Sequence, residues 1–326
     1  MRLTSFISLG LSAVISANAV RIESCTEPNT VALTFDDGPY QYTNDLLDTL
    51  KAANIHATFF INGDNYWPEL SSSQEKQEVL KRAAAEGHQI ASHTWKHEIP
   101  LQDDDTIDKQ ATLESLSLIE DLVFRNVGKY PTYFRAPLGS ISKETVELFE
   151  EYNYKVIQWD TDTNDWNREV HGVKSDNFDN RVKAVKEFLT EEYKEKRENY
   201  LVLMHDVQPH TVKTIVPFII ENGLFKEYKF VTVAECLGDP TGGWSKAGNA
   251  LTVLSGGNPL DNKNDIIQGN STISDPQGGN LTSIDTGSRS IPDNDESMDL
   301  KSGSIANAIN FYVIVTFLVS TLYMFF

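Results

Sequence analysis

The sequence predicts an α/β fold built on a mainly parallel sheet, open or closed into a barrel, followed by a disordered Ser/Gly/Asn-rich stalk. Three observations lead there. Seven short β-rich runs alternate with six helical stretches between residues 20 and 240, the pattern of strand–helix–strand units. Runs such as Tyr200-Leu201-Val202-Leu203-Met204 are apolar without alternation, as strands covered on both faces are. The polar clusters able to do chemistry fall at or just past the C-terminal ends of these runs, where α/β folds build their sites.

In chain order, the β-branched and aromatic runs place strands at 31–35, 57–62, 89–92, 132–135, 155–159, 201–204 and 230–233. Between them, helices are predicted over 43–53, 74–85, 107–126, 142–151, 178–196 and 212–221. Cys25 and Cys236 lie just outside the first and last strands, so in an oxidising compartment a disulfide would tie the two ends of the domain together.

The termini indicate that compartment. Residues 1–19 read as a secretory signal: Met1-Arg2, an apolar stretch from about Phe6 to Ile15, and Ala17-Asn18-Ala19 as the cleavage site. From Thr241 to Ser304 the chain is rich in Gly, Ser, Asn and Asp, with Trp244 its lone aromatic, and is expected to be a flexible stalk. Its sequons predict glycosylation at Asn270 and Asn280. The final sixteen residues, from Phe311, carry no charge. They are short for a bilayer span of about 20 residues and have no basic flank after them. With the small residues upstream, residues 305–326 match a glycosylphosphatidylinositol (GPI) signal, cleaved at Ser302 or Gly303. The expected locations are the outer face of the cell membrane and the cell wall.

Composition excludes several classes. A formal charge of −19 over 326 residues, most of it in residues 20–240, opposes nucleic-acid binding. Two cysteines are too few for a thiolate zinc cluster or a disulfide scaffold.

The chemistry concentrates at five strand ends: Asp36-Asp37, His93 with His97, Arg135, Asp162 with Asp165, and His205-Asp206. Two imidazoles four residues apart, with one carboxylate, suit a divalent metal that keeps an open coordination position. Asp36 and Asp37 point to opposite sides of extended backbone, so one can bind metal while the other takes a proton from water. Arg135 is placed to hold a carboxylate, and His205 to protonate a leaving amine near neutral pH. Asp165-Trp166 would orient and desolvate that histidine.

The segments Thr34-Phe35-Asp36-Asp37-Gly38-Pro39, His93-x₃-His97, Arg135-Ala136-Pro137-Leu138-Gly139, Asp162-Thr163-Asn164-Asp165-Trp166 and Leu203-Met204-His205-Asp206 occur in this order. Together they resemble the polysaccharide deacetylases of carbohydrate esterase family 4, the NodB-homology domain, over most of residues 30–236. The resemblance implies a distorted (β/α) barrel of about seven strands. It implies Asp36 as general base, Asp37, His93 and His97 as metal ligands, and Arg135 orienting Asp36. His205 would be the general acid, tuned by Asp165, and the backbone N–H of Leu138 would stabilise the oxyanion. Trp166 and Leu203 would wall the acetyl pocket. Two positions depart from the family pattern: Leu138 stands where an aromatic is usual, and Ala136 where proline is frequent.

The expected activity is metal-dependent hydrolysis of N-acetyl groups on the N-acetylglucosamine units of chitin, giving chitosan and acetate. One Zn²⁺ or Co²⁺ is the expected cofactor. Partners are a chitin or chitooligosaccharide substrate and the outer leaflet through the GPI lipid, with no nucleic acid and a monomeric chain. The alternatives are an esterase acting on acetylated xylan or another polysaccharide, and a wall protein that binds chitin without cleaving it.

Overall fold

The structure is a computed structural model and describes residues 20–175 and 177–250. The expected signal segment, both sequons, the expected GPI signal and the part of the expected stalk beyond residue 250 lie outside the described residues. Nine strands form one parallel sheet: β1 (Arg21–Ile22), β2 (Thr30–Asp36), β3 (Thr58–Ile61), β4 (Gln89–Ser92), β5 (Tyr133–Phe134), β6 (Lys155–Ile157), β7 (Thr161–Asp162), β8 (Asn199–His205) and β9 (Lys229–Phe230). Their spatial order is β1-β6-β5-β4-β3-β2-β8-β7, with β9 paired to the first residues of β2. The sheet curls into an incomplete barrel, and among the described residues no pairing joins β1 to β7. All seven predicted strands are present at least in part, joined by the short β1 and β7.

Helices α1 (Thr43–Ala52), α2 (Gln74–Ala85), α3 (Lys109–Val127), α4 (Lys143–Glu151) and α5 (Phe178–Lys194) fall where the sequence places them. The sixth stretch opens with a π-helical turn, Thr211–Ile215, and continues as α6 (Val216–Glu221). Alternation along the strands sorts side chains into two layers. Val31, Leu33 and Phe35 face the helices in the main core, together with Phe59, Ile61, Val202 and Met204. Ala32, Phe60, Ala91, Tyr133, Ile157 and Leu201 fill the barrel interior.

Two expectations are corrected. The strand over 230–233 stops at Phe230, because Thr232 starts a helix, α7 (Val233–Cys236). The Thr232 hydroxyl accepts the Glu235 N–H while the Glu235 carboxylate accepts the Thr232 N–H, a reciprocal cap that outweighs the β-propensity of the valines. This helix closes the N-terminal end of the barrel. Its Val233 and Ala234 N–H groups donate to Thr58 Oγ1 (2.9 Å) and Gln89 Oε1 (2.8 Å). Its last residue, Cys236, is bonded to Cys25, as expected.

The other correction concerns the domain end. The packed chain continues past 240: Trp244–Ser245 pair antiparallel with Tyr130–Pro131, and Asn249 and Ala250 donate their N–H groups to the buried carboxylate of Glu120. Trp244 and Ala250 supply enough apolar surface to dock a segment whose composition reads as linker.

Candidate active site

The C-terminal ends of β2, β4, β5, β7 and β8 converge on one buried polar cluster. Register explains part of it: Asp36 lies opposite His205, and Leu203 opposite both Thr34 and Asp162. Thr34 and Asp36 therefore share the interior face with Leu203 and His205. Asp37 follows with φ of 80°, which turns its side chain away from that of Asp36.

Asp37 faces two imidazoles. Its Oδ1 lies 3.4 Å from His93 Nε2 and 3.2 Å from His97 Nε2, and the three ligand atoms fall within 4.8 Å of one another. His93 Nδ1 sits 2.9 Å from the Arg135 carbonyl, an acceptor, so the ring proton belongs on Nδ1 and the Nε2 lone pair points at Asp37. Asp37 Oδ1 is buried and receives no hydrogen bond among the described residues. A carboxylate oxygen and imidazole nitrogens brought together this way fit a divalent cation held by three protein ligands with open positions. Asn62, at the end of β3, steadies the histidine loop by donating to the His93 (2.6 Å) and Thr94 (2.9 Å) carbonyls.

Asp36 is held on its other side. Arg135, fully buried, donates from Nη1 to Asp36 Oδ1 (2.8 Å) and to Thr34 Oγ1 (2.7 Å), and from Nη2 to the Gln158 carbonyl (2.9 Å). Its guanidinium stacks 4.1 Å from the Phe60 ring centroid. A planar charge pinned on three acceptors fixes the carboxylate it touches.

Opposite stands an imidazole–carboxylate pair. His205 Nδ1 lies 2.7 Å from Asp165 Oδ1, while Asp165 Oδ2 accepts the His205 N–H (2.8 Å) and the Thr211 hydroxyl (2.5 Å). Burial alone would lower the histidine, but Asp165, with Asp37 and Asp36 nearby, pushes it up to about 10. Burial likewise opposes the charge on Asp165, and the His205 and Thr211 contacts still hold its carboxyl below the ordinary value. The imidazole is thus a stored proton facing the cluster.

The turn after β5 carries Leu138 in left-handed backbone (φ 59°, ψ 12°), its side chain 73% exposed. Trp166 is half exposed on the loop that carries Asp165, and Leu203 is buried in β8. Four contributors carry no motif that sequence reasoning singles out: Asn62, Thr211, Gln158 and Thr43. Thr43 donates its hydroxyl to Asp206, whose fully buried carboxyl burial pushes up to about 7. Only Asn62, a polar residue ending an apolar run, leaves a visible trace in the sequence.

The family described as polysaccharide deacetylase matches residues 23–157. A chitin deacetylase from Pestalotiopsis sp is 37% identical over 229 residues, covering 70% of each chain. One from Colletotrichum lindemuthianum is 33% identical over 229 residues, 69% of this chain and 86% of that relative. The solved structure of the Colletotrichum lindemuthianum chitin deacetylase superposes with a TM-score of 0.61 at 31% identity, covering 71% of this chain and 97% of that one.

Proposed function

The chain belongs to the polysaccharide deacetylase family, and from that premise we propose that it hydrolyses the N-acetyl groups of chitin to give chitosan and acetate. One observation carries the reading: Asp37, His93 and His97 converge beside an Arg135-clamped Asp36 and across from the Asp165-backed His205. The choice of chitin rests on what the two fungal relatives are named for.

Asp37, His93 and His97 would hold a zinc or cobalt ion, which when bound polarises the acetyl carbonyl and acidifies water. Asp36 takes the proton from the attacking water as general base, its free oxygen turned into the cluster while Arg135 grips the other. The Leu138 N–H, held by the left-handed turn, donates to the oxygen on which negative charge builds. His205, charged and oriented by Asp165, hands its proton to the departing amine. Asp165 ensures that the transferable proton sits on Nε2, since Nδ1–H is committed to its carboxylate. Trp166 and Leu203 border the space for the acetyl methyl group.

The reading includes secretion, supported by the Cys25–Cys236 disulfide, and lipid anchorage at Ser302 or Gly303. No helix among the described residues is long and apolar enough to cross a membrane. The test is acetate release from chitin tetramer and pentamer by the purified protein, with acetylxylan in parallel and with chelator followed by zinc or cobalt. Release that Asp36→Asn abolishes, and that in chelated wild type returns only with metal, supports the assignment. Binding of chitin without release, or release from acetylxylan alone, replaces it.

A further inference from the structure

We propose that Gln158 is a positioning residue that aims the Leu138 N–H and locks its turn to the same arginine that holds the base. The inference rests on the deacetylase reading given above. Gln158 directly follows β6 and is buried. It touches both halves of the apparatus. Its main-chain carbonyl accepts from Arg135 Nη2 (2.9 Å), and Arg135 Nη1 holds Asp36. Its side-chain Nε2 donates to the carbonyl of Gly139 (3.2 Å), the residue after Leu138. The neighbouring Trp159 completes the seat: a Cβ at Gly139 would lie 2.7 Å from the end of its indole.

The turn needs this support. Leu138 and Gly139 both adopt positive φ, 59° and 63°. For leucine that conformation costs on the order of 1–2 kcal/mol. A strained turn persists only where its surroundings over-determine it. Within the turn the main-chain bonds are short-range, Gly139 N–H to Ala136 and Ser140 N–H to Pro137. Gln158 supplies the side-chain bond that ties this turn to a different strand.

The other end of the amide argues against a purely structural role. Gln158 Oε1 is buried with no hydrogen-bond partner among the described residues. An unpaired buried acceptor costs roughly 1–3 kcal/mol, about what the Nε2 bond to Gly139 returns, so the amide's net gain lies in aim rather than in stability.

The experiment uses Gln158→Met and Gln158→Leu in the full-length, zinc-loaded protein, alongside wild type. It reads kcat and KM for acetate release from chitin pentamer, the melting temperature, and zinc affinity by calorimetry. The expected result is a kcat reduced about tenfold to a hundredfold, the scale of a displaced oxyanion donor. KM should change less than threefold, zinc affinity should be unchanged, and the melting temperature should change little. A kcat within about twofold of wild type in a folded variant overturns the proposal and leaves the deacetylase reading intact. So does loss of fold in both variants, which would make Gln158 structural. Wild-type protein that binds zinc yet releases no acetate from any acetylated sugar overturns the deacetylase reading, and this proposal with it.

Discussion

The two ends of the barrel treat backbone strain in opposite ways. At the closed end, where helices return to strands, positive φ falls mostly on residues that adopt it cheaply: Asn54, Gly87, Gly128, Asn153 and Gly223, with Lys196 and Phe225 as exceptions. At the open end, beside Gly139 and Asn164, it also falls on Asp37, Thr94, His97 and Leu138. Three of these are a proposed ligand, a second proposed ligand and the proposed oxyanion donor. One end is built for economy and the other for aim. Substitutions at the open end should therefore change rate without much change in stability, and those at the closed end the reverse.

The sharpest way to break that contrast is Asp36→Asn. It should lower kcat by about 10²- to 10⁴-fold, the usual share of a positioned base, while the chain stays folded at 25 °C although the buried Arg135 loses its anionic partner. A variant that is unfolded at 25 °C would show that the open end also carries the fold. Replacing Cys25 and Cys236 together by serine should do the converse. The bond spans 211 residues of sequence, and its loss should reduce stability by about 2–5 kcal/mol in urea titrations. The kcat of the still-folded protein at 25 °C should stay within twofold.

A pH series sharpens the same comparison. His88 sits at the closed end, its Nδ1 accepting the Ala57 N–H (3.0 Å). Burial holds its pKa down to about 4 from the ordinary 6.5. The unfolded chain therefore binds the extra proton first as pH falls. Stability from this residue is complete above about 6.5 and is lost on acidification towards 4, by on the order of 2–3 kcal/mol. The loss of stability between urea melts at pH 7.5 and 4.5 should be larger in wild type than in His88→Gln by about that amount. The smallest expected effect is Asn54→Ala, about 1 kcal/mol in thermal melts with kcat unchanged.

Much of the fold is legible because its causes are local. Val31 to Phe35 and Tyr200 to Met204 are strands by composition, and the polar residues that end them mark the site. What escapes a linear reading depends on distant partners. The run Phe230-Val231-Thr232-Val233 reads as a strand until Thr232 and Glu235 are recognised as a reciprocal cap. Residues 241–250 read as linker because the surface that receives Trp244 and the Glu120 carboxylate that receives Asn249 lie more than a hundred residues upstream. Gln158 and Thr43 look like ordinary polar residues beside a strand and in a helix. Their meaning lies in which carbonyl or carboxylate the fold brings to them, and no spacing rule encodes that.

The pairing of β2 with β8 sets a schedule for synthesis. β2 leaves the ribosome early, yet its long partner arrives only with Asn199–His205, so one full edge of the strand waits while some 160 residues are made. An exposed, mainly apolar edge of this kind invites pairing with the wrong chain. Cys236 emerges after β8 and α6, and its union with Cys25 encloses nearly every strand of the sheet. An oxidised Cys25–Cys236 bond is therefore a certificate of completion: a nascent chain that lacks β8 cannot carry it, and a cell that inspects thiols can tell the finished protein from the unfinished one.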